Sequence, residues 1–407
     1  MKLQNLIAAA AIAACAAAPC LAGEAEKKAA EAPSPAARAN AIAFKLYSAE
    51  ARKGGNVFFS PYSIYGAFAA VYEGAKGSTA GEIASVFSFP PKAGELRAGV
   101  AGLKKALASS LKGAVFTQAD SFWAQDGYKF RKDYLKTLRA DYSAQALNAD
   151  FRKNAEEARR RINMWTENAT KGRILGLFPE GSLDPLTRLV LVNAVYFKGS
   201  WENRFDPALT AAADFTGPEG GKLKVPMMAL KGERELEYGE DVQKQVLRLP
   251  YKGGGLGMLV ILPKEGVKLS ALEAGLTPEA LEAARKELYT QKVRVFLPKF
   301  TFGYGLTLNA PLADLGMPTA FTDKADFSGM DGTKDLYVQK AFHKAFVEVT
   351  EEGTEAAAAT GAAMGVKSIV LDYAVFRADR PFLFVIEQPE TGLILFIGRV
   401  EDPARKQ

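Results

Sequence analysis

The residue types that catalyse reactions or hold metals are scarce in this sequence. His343 is the single histidine, and both cysteines, Cys15 and Cys20, lie near the amino terminus. A Ser-His-Asp or Cys-His hydrolase would have to use His343, yet no Gly-x-Ser-x-Gly nucleophile elbow accompanies it. No histidines and cysteines cluster at metal-ligand spacing. We therefore expect no enzyme, no cofactor and no metal site, and we interpret His343 as a hydrogen-bonded core residue.

Four polar side chains stand out because their surroundings are apolar. Asn193 lies in the middle of Leu189–Phe197, an almost continuously apolar run that is typical of a strand covered on both faces. A buried carboxamide without partners costs about 1–3 kcal/mol, so Asn193 predicts a hydrogen-bonded network. The other conspicuous polar residues in apolar contexts are Ser60, Ser63 and His343.

The run EEGTEAAAATGAAMGVKS at 351–368 follows a strand-like alternation but offers few large side chains. Successive side chains of a strand point to opposite faces. Glu355 would begin one face, and the opposite face would carry only uncharged residues, namely Thr354, Ala356, Ala358, Thr360, Ala362 and Met364. The pattern is consistent with a loop that can become a strand, although composition alone favours a flexible or weakly helical linker.

The amino terminus has the pattern of a secretory signal peptide over residues 1–22. Lys2 precedes a short apolar run at 6–14, and small residues follow it. This stretch is too short and too rich in alanine for a membrane span. Cleavage before Gly23 would release a secreted, periplasmic or extracellular protein.

A second interpretation of the leader remains open. Residues 12–15 resemble a bacterial lipobox, which would attach a lipid to Cys15 and anchor the protein in a membrane. In either case residues 23–37, which are polar and contain proline, predict a flexible tether.

The rest of the chain, residues 38–404, reads as one domain without a linker or repeat. The chain has 407 residues, of which 48% are hydrophobic, enough for a large core. Its net charge of +6 is spread along the sequence, so we expect no nucleic-acid partner, and whether a polyanion binds stays open.

Helices precede strands along this domain. Ser60-Pro61 predicts the start of a helix that runs to Gly74, and Thr79 with Glu82 forms a capping box for the next helix. Later apolar runs predict strands at Leu189–Phe197, Leu256–Leu262, Val293–Leu297, Phe382–Ile386 and Leu393–Ile397. Helices first and strands later, without regular alternation, indicate an α+β fold.

Four long motifs, in this order, resemble the serpins, the serine protease inhibitor superfamily. They are NVFFSPYSIYGAFAAVYEGAKGSTAGEI (56–83), LVLVNAVYFKGSWENRF (189–205), KAFHKAFVEVTEEGTEAAAAT (340–360) and FRADRPFLFVIEQPETGLILFIGRVEDP (376–403). They look like the family's second and third helices, the third strand of its main sheet, the fifth strand with its hinge, and the carboxyl-terminal strand pair. With its leader, the chain looks like a secreted bacterial serpin.

The resemblance implies three β-sheets surrounded by about nine helices, with an exposed reactive-centre loop that inserts into the main sheet. Here the loop would span residues 352–375. In the family, a serine protease cuts the loop, becomes acyl-linked to it, and is carried away as the loop inserts as a strand. The chain would then be a monomeric, metastable inhibitor and not an enzyme. A non-inhibitory serpin acting as a binding or carrier protein is the alternative.

Counting along the family's loop places the reactive bond between Lys367 and Ser368. A lysine there would enter a primary specificity pocket that bears a carboxylate, so the expected partner is a trypsin-like protease. Met364 or Val366 would instead suit chymotrypsin-like or elastase-like enzymes. The hinge residues implied by the resemblance are Glu351, Glu352, Gly353, Thr354, Glu355, Ala356, Ala357 and Ala358.

Two further regions follow from the resemblance. The shutter, where the main sheet parts, would contain Ser60, Ser63, Asn193 and His343. The breach, at the top of that sheet, would contain Trp201, Lys299 and Glu351, with Lys299 and Glu351 paired until the loop is cut.

Overall fold

Ten α-helices and sixteen strands occur in residues 33–354 and 373–405, the ranges that the computed structural model describes. The helices are α1 Pro35–Ala51, α2 Pro61–Gly74, α3 Gly77–Phe87, α4 Ala93–Ser110, α5 Lys132–Thr137, α6 Phe151–Ala169, α7 Leu269–Ala274, α8 Pro278–Lys286, α9 Asn309–Asp314 and α10 Ser328–Asp331. A π-helical turn, Leu138–Tyr142, continues α5, and two 3₁₀ turns span Pro207–Leu209 and Pro318–Phe321.

The strands include every apolar run that the sequence assigns to a strand. They are β1 Val57–Phe59, β2 Ala114–Gln125, β3 Gln145–Ala149, β4 Leu189–Ser200, β5 Ala211–Thr216, β6 Lys222–Ala229, β7 Arg234–Glu240, β8 Lys244–Pro250, β9 Gly257–Pro263, β10 Tyr289–Pro298, β11 Phe300–Thr307, β12 Lys340–Val349, β13 Gly353–Thr354, β14 Ala374–Arg377, β15 Phe382–Gln388 and β16 Leu393–Val400. The α+β fold class is confirmed.

Serine followed by proline begins two of the helices. At α2 the Ser60 Oγ accepts a hydrogen bond from the Ser63 amide at 3.1 Å, and the helix ends at Gly74 as predicted. At α1 the Ser34 Oγ accepts from the Ala37 amide at 3.1 Å. The helix α1 therefore begins at Pro35, inside the segment that the sequence assigns to the tether, because Ser34 and Pro35 supply the same capping signal.

The capping box predicted for α3 is wrong. The helix begins at Gly77, and Thr79 lies within its first turn. The Thr79 Oγ1 instead accepts a hydrogen bond from the Asp326 amide at 2.9 Å, and Glu82 accepts from the amide and hydroxyl of Thr319. The side chains of Thr79 and Glu82 therefore make tertiary hydrogen bonds instead of capping the helix.

The smaller sheet has six strands in the order β11-β12-β13-β4-β2-β3. Its two long central strands, β4 and β12, also pair directly with each other in parallel, Val190–Tyr196 against Lys340–Phe346. The short strand β13 lies between them at one end and pairs antiparallel with both. We call the β4–β12 boundary the seam.

The other described strands form one ten-stranded sheet where three sheets in all were expected. Six of them, β7-β8-β9-β15-β16-β1, form one group, and β5, β6, β10 and β14 form a second. The pairing of Tyr289–Val293 in β10 with Arg234–Tyr238 in β7 joins the two groups. The expected division is therefore present as two groups of strands joined by one ladder.

Two apolar layers enclose the six-stranded sheet. Helices α1 and α2 pack against β16, so the main core lies between the sheets and these helices. On the opposite face, Ile162 of α6 packs in a separate apolar cluster with Val190 and Val192 of β4. The buried faces of the sheet explain why the sequence of β4 is almost continuously apolar.

Candidate functional site

The structure brings the four predicted shutter residues together across the seam. The Ser60 amide donates to His343 Nε2 at 3.1 Å, and the other ring nitrogen, Nδ1, lies 2.5 Å from Asn193 Oδ1. The Asn193 Nδ2 donates to Ser63 Oγ at 2.7 Å. One carboxamide on β4 therefore contacts β12 on one side and α2 beneath the sheet.

The hydrogen bonds fix the protonation of the imidazole. Nε2 accepts from a backbone amide, so the proton lies on Nδ1, which donates to the Asn193 carbonyl oxygen. Burial lowers the pKa of His343 to about 3. The ring is therefore neutral at physiological pH, and this bond across the seam joins two uncharged groups.

Asp120 belongs to the same network, and the sequence interpretation missed it. Asn193 Nδ2 donates to Asp120 Oδ1, and Gln118 Nε2 donates to Asp120 Oδ2 at 2.7 Å. Burial raises the pKa of Asp120 to about 6, although both hydrogen bonds oppose that rise. The charged group near this carboxyl is Lys104 of α4, which lowers its pKa, and the neutral phenol of Tyr62 on α2 also lies nearby.

At the breach, Glu351 is held by two side chains. Lys299 Nζ lies 2.8 Å from Glu351 Oε2, and Thr210 Oγ1 donates to Glu351 Oε1 at 2.8 Å. Burial alone would raise the pKa of the Glu351 carboxyl, but these two hydrogen bonds outweigh it and keep the pKa below its ordinary value. The carboxylate is therefore ionised and paired.

Trp201 joins the end of β4 to the hinge backbone. Its indole N–H donates to the Thr350 carbonyl at 2.9 Å, and its amide donates to the Glu352 carbonyl at 2.9 Å. The ring stacks on Tyr251 with centroids 4.7 Å apart. Glu352 itself points outward and pairs with Arg204 at 2.6 Å.

Two residues of the predicted hinge, Gly353 and Thr354, form the strand β13 within the sheet. Thr350 and Gly353 exchange backbone hydrogen bonds at 2.8 and 3.3 Å, which closes a hairpin between β12 and β13. Thr354 is 1% exposed, lies opposite both Val349 and Gly199, and its hydroxyl is 2.7 Å from the Tyr251 hydroxyl. The seam therefore starts to open where β13 stands and is closed below it.

This geometry provides for one more strand. Below β13, the residues of β4 and β12 pair directly in parallel, a slightly less stable arrangement per residue than antiparallel pairing. A strand that continued from β13 would separate them and be antiparallel to both. It would replace one parallel ladder with two antiparallel ladders.

Comparison with known proteins gives the family. The family model described as Serpin (serine protease inhibitor) matches residues 37–403. This chain is a serpin. A serpin-like protein of Thermococcus kodakarensis is 41% identical over 368 residues, which are 89% of this chain and 84% of the relative. Leukocyte elastase inhibitor A of Mus musculus is 38% identical over 356 residues, 86% of this chain and 93% of the relative.

Human thyroxine-binding globulin, solved with its hormone, is similar to this serpin in structure. The TM-score is 0.82 at 29% sequence identity, and the likeness covers 91% of this chain and 99% of the globulin. The serpin fold expected from the sequence is confirmed, and the relatives come from archaea and mammals alike.

The remaining predicted site residues of this serpin lie outside the described ranges. They are the later hinge residues, the reactive bond with its alternatives and the lipidation site, namely Glu355, Ala356, Ala357, Ala358, Met364, Val366, Lys367, Ser368 and Cys15. Within residues 33–354 and 373–405, no group of three histidine, cysteine or carboxylate side chains could hold a metal ion. In the same ranges no helix has the length and apolar character needed to cross a membrane.

The stability of this serpin should depend on pH through two opposite linkages in the shutter. His343, whose pKa falls from 6.5 to about 3, contributes stability above pH 6.5 that is lost as the pH falls toward 3. Asp120, whose pKa rises from 3.8 to about 6, contributes stability below pH 3.8 that is lost as the pH rises through 6. Acidification therefore weakens one contribution and restores the other.

Replacing Asp120→Asn removes only the second linkage. We expect the variant to lose more stability than the wild type between pH 7 and pH 4, by roughly 2–3 kcal/mol, because a shift of two pKa units is worth about that much. Melting temperatures across this pH range measure the difference. Asp323→Asn, at an exposed site, is the control. Parallel curves for wild type and Asp120→Asn would show that Asp120 has no such linkage.

Gly353 should be necessary for the partial entry of the hinge. Its φ is +153°, and a Cβ there would lie 2.0 Å from the Gly199 carbonyl oxygen. In Gly353→Ala we expect β13 to leave the sheet and the Trp201 and Phe205 amides, which donate to Glu352 and Glu351, to exchange hydrogen about tenfold faster or more.

Hydrogen-exchange mass spectrometry of the 199–206 segment measures this effect. Gly221→Ala is the matched control, since a Cβ at that position meets open space. Unchanged protection in Gly353→Ala would mean that the breach tolerates the methyl group and that the hinge stays paired.

Proposed function

We propose that this serpin inhibits trypsin-like serine proteases by insertion of its cleaved reactive-centre loop into the seam. The observation that carries the proposal is the arrangement of β4, β12 and β13. Two long strands pair in parallel below a two-residue strand that is antiparallel to both. At the top of the seam, β13 thus marks where a further strand would run. Below β13 no strand separates β4 from β12.

The energetic argument is that insertion releases free energy which the intact loop withholds. Each backbone hydrogen bond gained contributes about 0.5–1.5 kcal/mol net. A strand as long as β12 would form a ladder on each edge and displace the parallel ladder between β4 and β12, so the net gain is one ladder. The intact protein is then a local free-energy minimum protected by a barrier, and the inserted form lies lower in free energy. Cleavage of the loop frees one end, and insertion moves that end, with the acyl-linked protease, along the sheet.

The proposed reactive bond is Lys367–Ser368. Its support is the count along the loop from Gly353 and Thr354, which stand at the top of the seam. Lysine before the scissile bond suits a protease whose specificity pocket carries a carboxylate. Met364 and Val366 are the alternative residues before the reactive bond. Some relatives are leukocyte elastase inhibitors, and an elastase would accept an apolar residue at that position.

We further propose that the protein acts outside the cytoplasm. The support is the leader pattern of residues 1–22, with a lipid on Cys15 as the alternative anchor. The relatives come from archaea and mammals, so this proposal rests on the leader and not on the family.

A carrier function is the second candidate, and the likeness to thyroxine-binding globulin favours it. Against it stands the start of the hinge, where Thr354, on the face that would point inward, is uncharged and already paired in β13. Residues 355–366 also contain no proline and only one charge, on Glu355. Those features suit insertion, and a carrier would not need them.

The covalent complex with trypsin is the direct test. We expect the mature protein to form an SDS-resistant complex and Lys367→Ala to form it about a hundredfold more slowly or not at all, because the substitution leaves the carboxylate of the protease pocket unpaired. Lys222→Ala, at an exposed site on β6, is the control.

Mass spectrometry of the released peptide locates the cut. A cut after residue 364 or 366 would move the reactive bond to Met364 or Val366. Complete cleavage of the wild type without any complex, by trypsin and by elastase, would favour the carrier function.

A charge at the entry of the seam should convert the inhibitor into a substrate. In Thr354→Glu we expect insertion to slow by roughly tenfold or more, since burying an unpaired carboxylate costs several kcal/mol and 1.4 kcal/mol is a factor of ten in rate. The number of inhibitor molecules cleaved per protease captured should rise accordingly. Thr354→Val removes the bond to Tyr251 without adding charge, so it should still inhibit. Equal behaviour of the two variants would argue against insertion.

A further inference from the structure

A separate cavity of about 290 Å³ lies where β5, β6, β10 and β14 meet. Most of its lining is aliphatic, with Ala211 and Ala213 of β5, Met227 of β6 and Leu230. The rim carries the guanidinium groups of Arg294 and Arg377. The volume is at the lower end of the range for ligand pockets, so its ligand would be small.

Arg377 is the most informative residue of this cavity. Its side chain is half-buried, and its guanidinium carbon lies 3.9 Å from the centre of the Phe296 ring. Among the residues that the structure describes, no carboxylate or carbonyl accepts a hydrogen bond from this guanidinium. Five N–H donors beside an apolar wall are suited to a carboxylate.

The other charges at the rim leave it positive. Arg294 pairs with Glu233 and also faces the Tyr373 ring at 4.7 Å, so Glu233 is already engaged. A guanidinium nitrogen of Arg234 lies 4.0 Å from the position that a Cβ of Gly232 would take, and Gly232 lines the cavity. An anion would therefore meet two further cations and no free carboxylate among these described neighbours.

We propose that this cavity binds a small amphipathic carboxylate, with its hydrocarbon part against Ala211, Ala213 and Met227 and its carboxylate on Arg377. Apolar burial and a bidentate ion pair then act on opposite ends of one molecule. A free aliphatic acid and the carboxyl terminus of a peptide share this chemistry.

The cavity is also connected to the reactive-centre loop through β14. Arg377 belongs to β14, whose described pairing is with β10, and Arg377 lies opposite Phe296. Three residues further along, Lys299 contacts Glu351 of the hinge. A ligand that bridges Arg377 to β5 and β6 would therefore hold β14 beside β10 near the top of the seam.

Holding β14 matters only for an uncut loop. Residues 355–372 join Thr354 to Tyr373, and a strand matching the ten residues of β12 would descend about 33 Å. The eight residues left could return at most about 29 Å. Insertion of the intact loop thus requires β14 to leave β10, whereas cleavage separates β14 from the inserting segment. The effect of the ligand on β14 and on loop insertion rests on the proposed function, whereas the binding of the ligand to the cavity does not.

Isothermal titration of the full protein with octanoate tests the binding. We expect octanoate to bind and its neutral isostere, octanamide, to bind about tenfold to a hundredfold more weakly, as is typical when a hydrogen bond to a charged group is lost. Arg377→Met, which keeps an apolar stem on Phe296, should weaken octanoate to the same extent. Acetyl-Ala-Leu in place of octanoate distinguishes a peptide terminus from a free acid by which of the two binds more tightly.

A matched pair of variants fixes the location. Ala213→Leu would fill the cavity and abolish binding, whereas Ala212→Leu, on the exposed face of the same strand, should leave it unchanged. If neither octanoate nor acetyl-Ala-Leu binds, the proposed site is wrong. It is also wrong if octanoate binds equally well to Ala213→Leu, Ala212→Leu and Arg377→Met.

The effect on the loop has its own readout. Octanoate should slow the spontaneous loss of trypsin-capturing capacity on incubation in the wild type but not in Ala213→Leu, and it should leave the rate of complex formation unchanged. If the wild type captures no protease, the proposed function fails while the titration still decides the binding site. If capacity decays equally with and without bound octanoate, the coupling to β14 is wrong.

Discussion

The parallel pairing of β4 with β12 is the constraint on which the rest of this serpin depends. Parallel ladders are slightly weaker than antiparallel ones, and this one joins the two central strands of the sheet. The strand that begins to separate them, β13, is antiparallel to both. The chain therefore contains, in one place, a less favourable arrangement and the start of a more favourable one. In the proposed mechanism, the fold has to keep the first arrangement until the loop is cut.

Two groups of side chains hold that boundary, and they work differently. At the shutter, a neutral histidine and a carboxamide bridge the strands, with a buried carboxyl of raised pKa on the far side. At the breach, an ionised Glu351 is tied to Lys299 and Thr210 while Trp201 binds the hinge backbone. Neutral partners can exchange without leaving a buried charge unpaired, whereas breaking the ion pair is costly. The central contact can therefore open more easily than the one at the hinge.

Much of the fold could be predicted from the sequence, and the misses have physical reasons. The apolar runs of β4, β9, β10, β15 and β16 and the Ser-Pro start of α2 are local signals, and they were sufficient. Asp120 was missed because its partner Asn193 is set by the register of β2 against β4, which no local pattern reveals. The connection of two strand groups through β10 was missed for the same reason. In α3 a local capping pattern was overridden by contacts to residues more than two hundred positions away.

The hairpin closed by Thr350 and Gly353 has a kinetic consequence. Forming the first turn of a β-ladder is its entropically expensive step, because chain ends must be brought together before any further bond is gained. Here that nucleus exists in the intact molecule, with Thr354 already in register on both neighbours. In the proposed mechanism, insertion after cleavage is then elongation alone, each residue docking beside one already docked. Its speed should be limited by how fast β4 and β12 part.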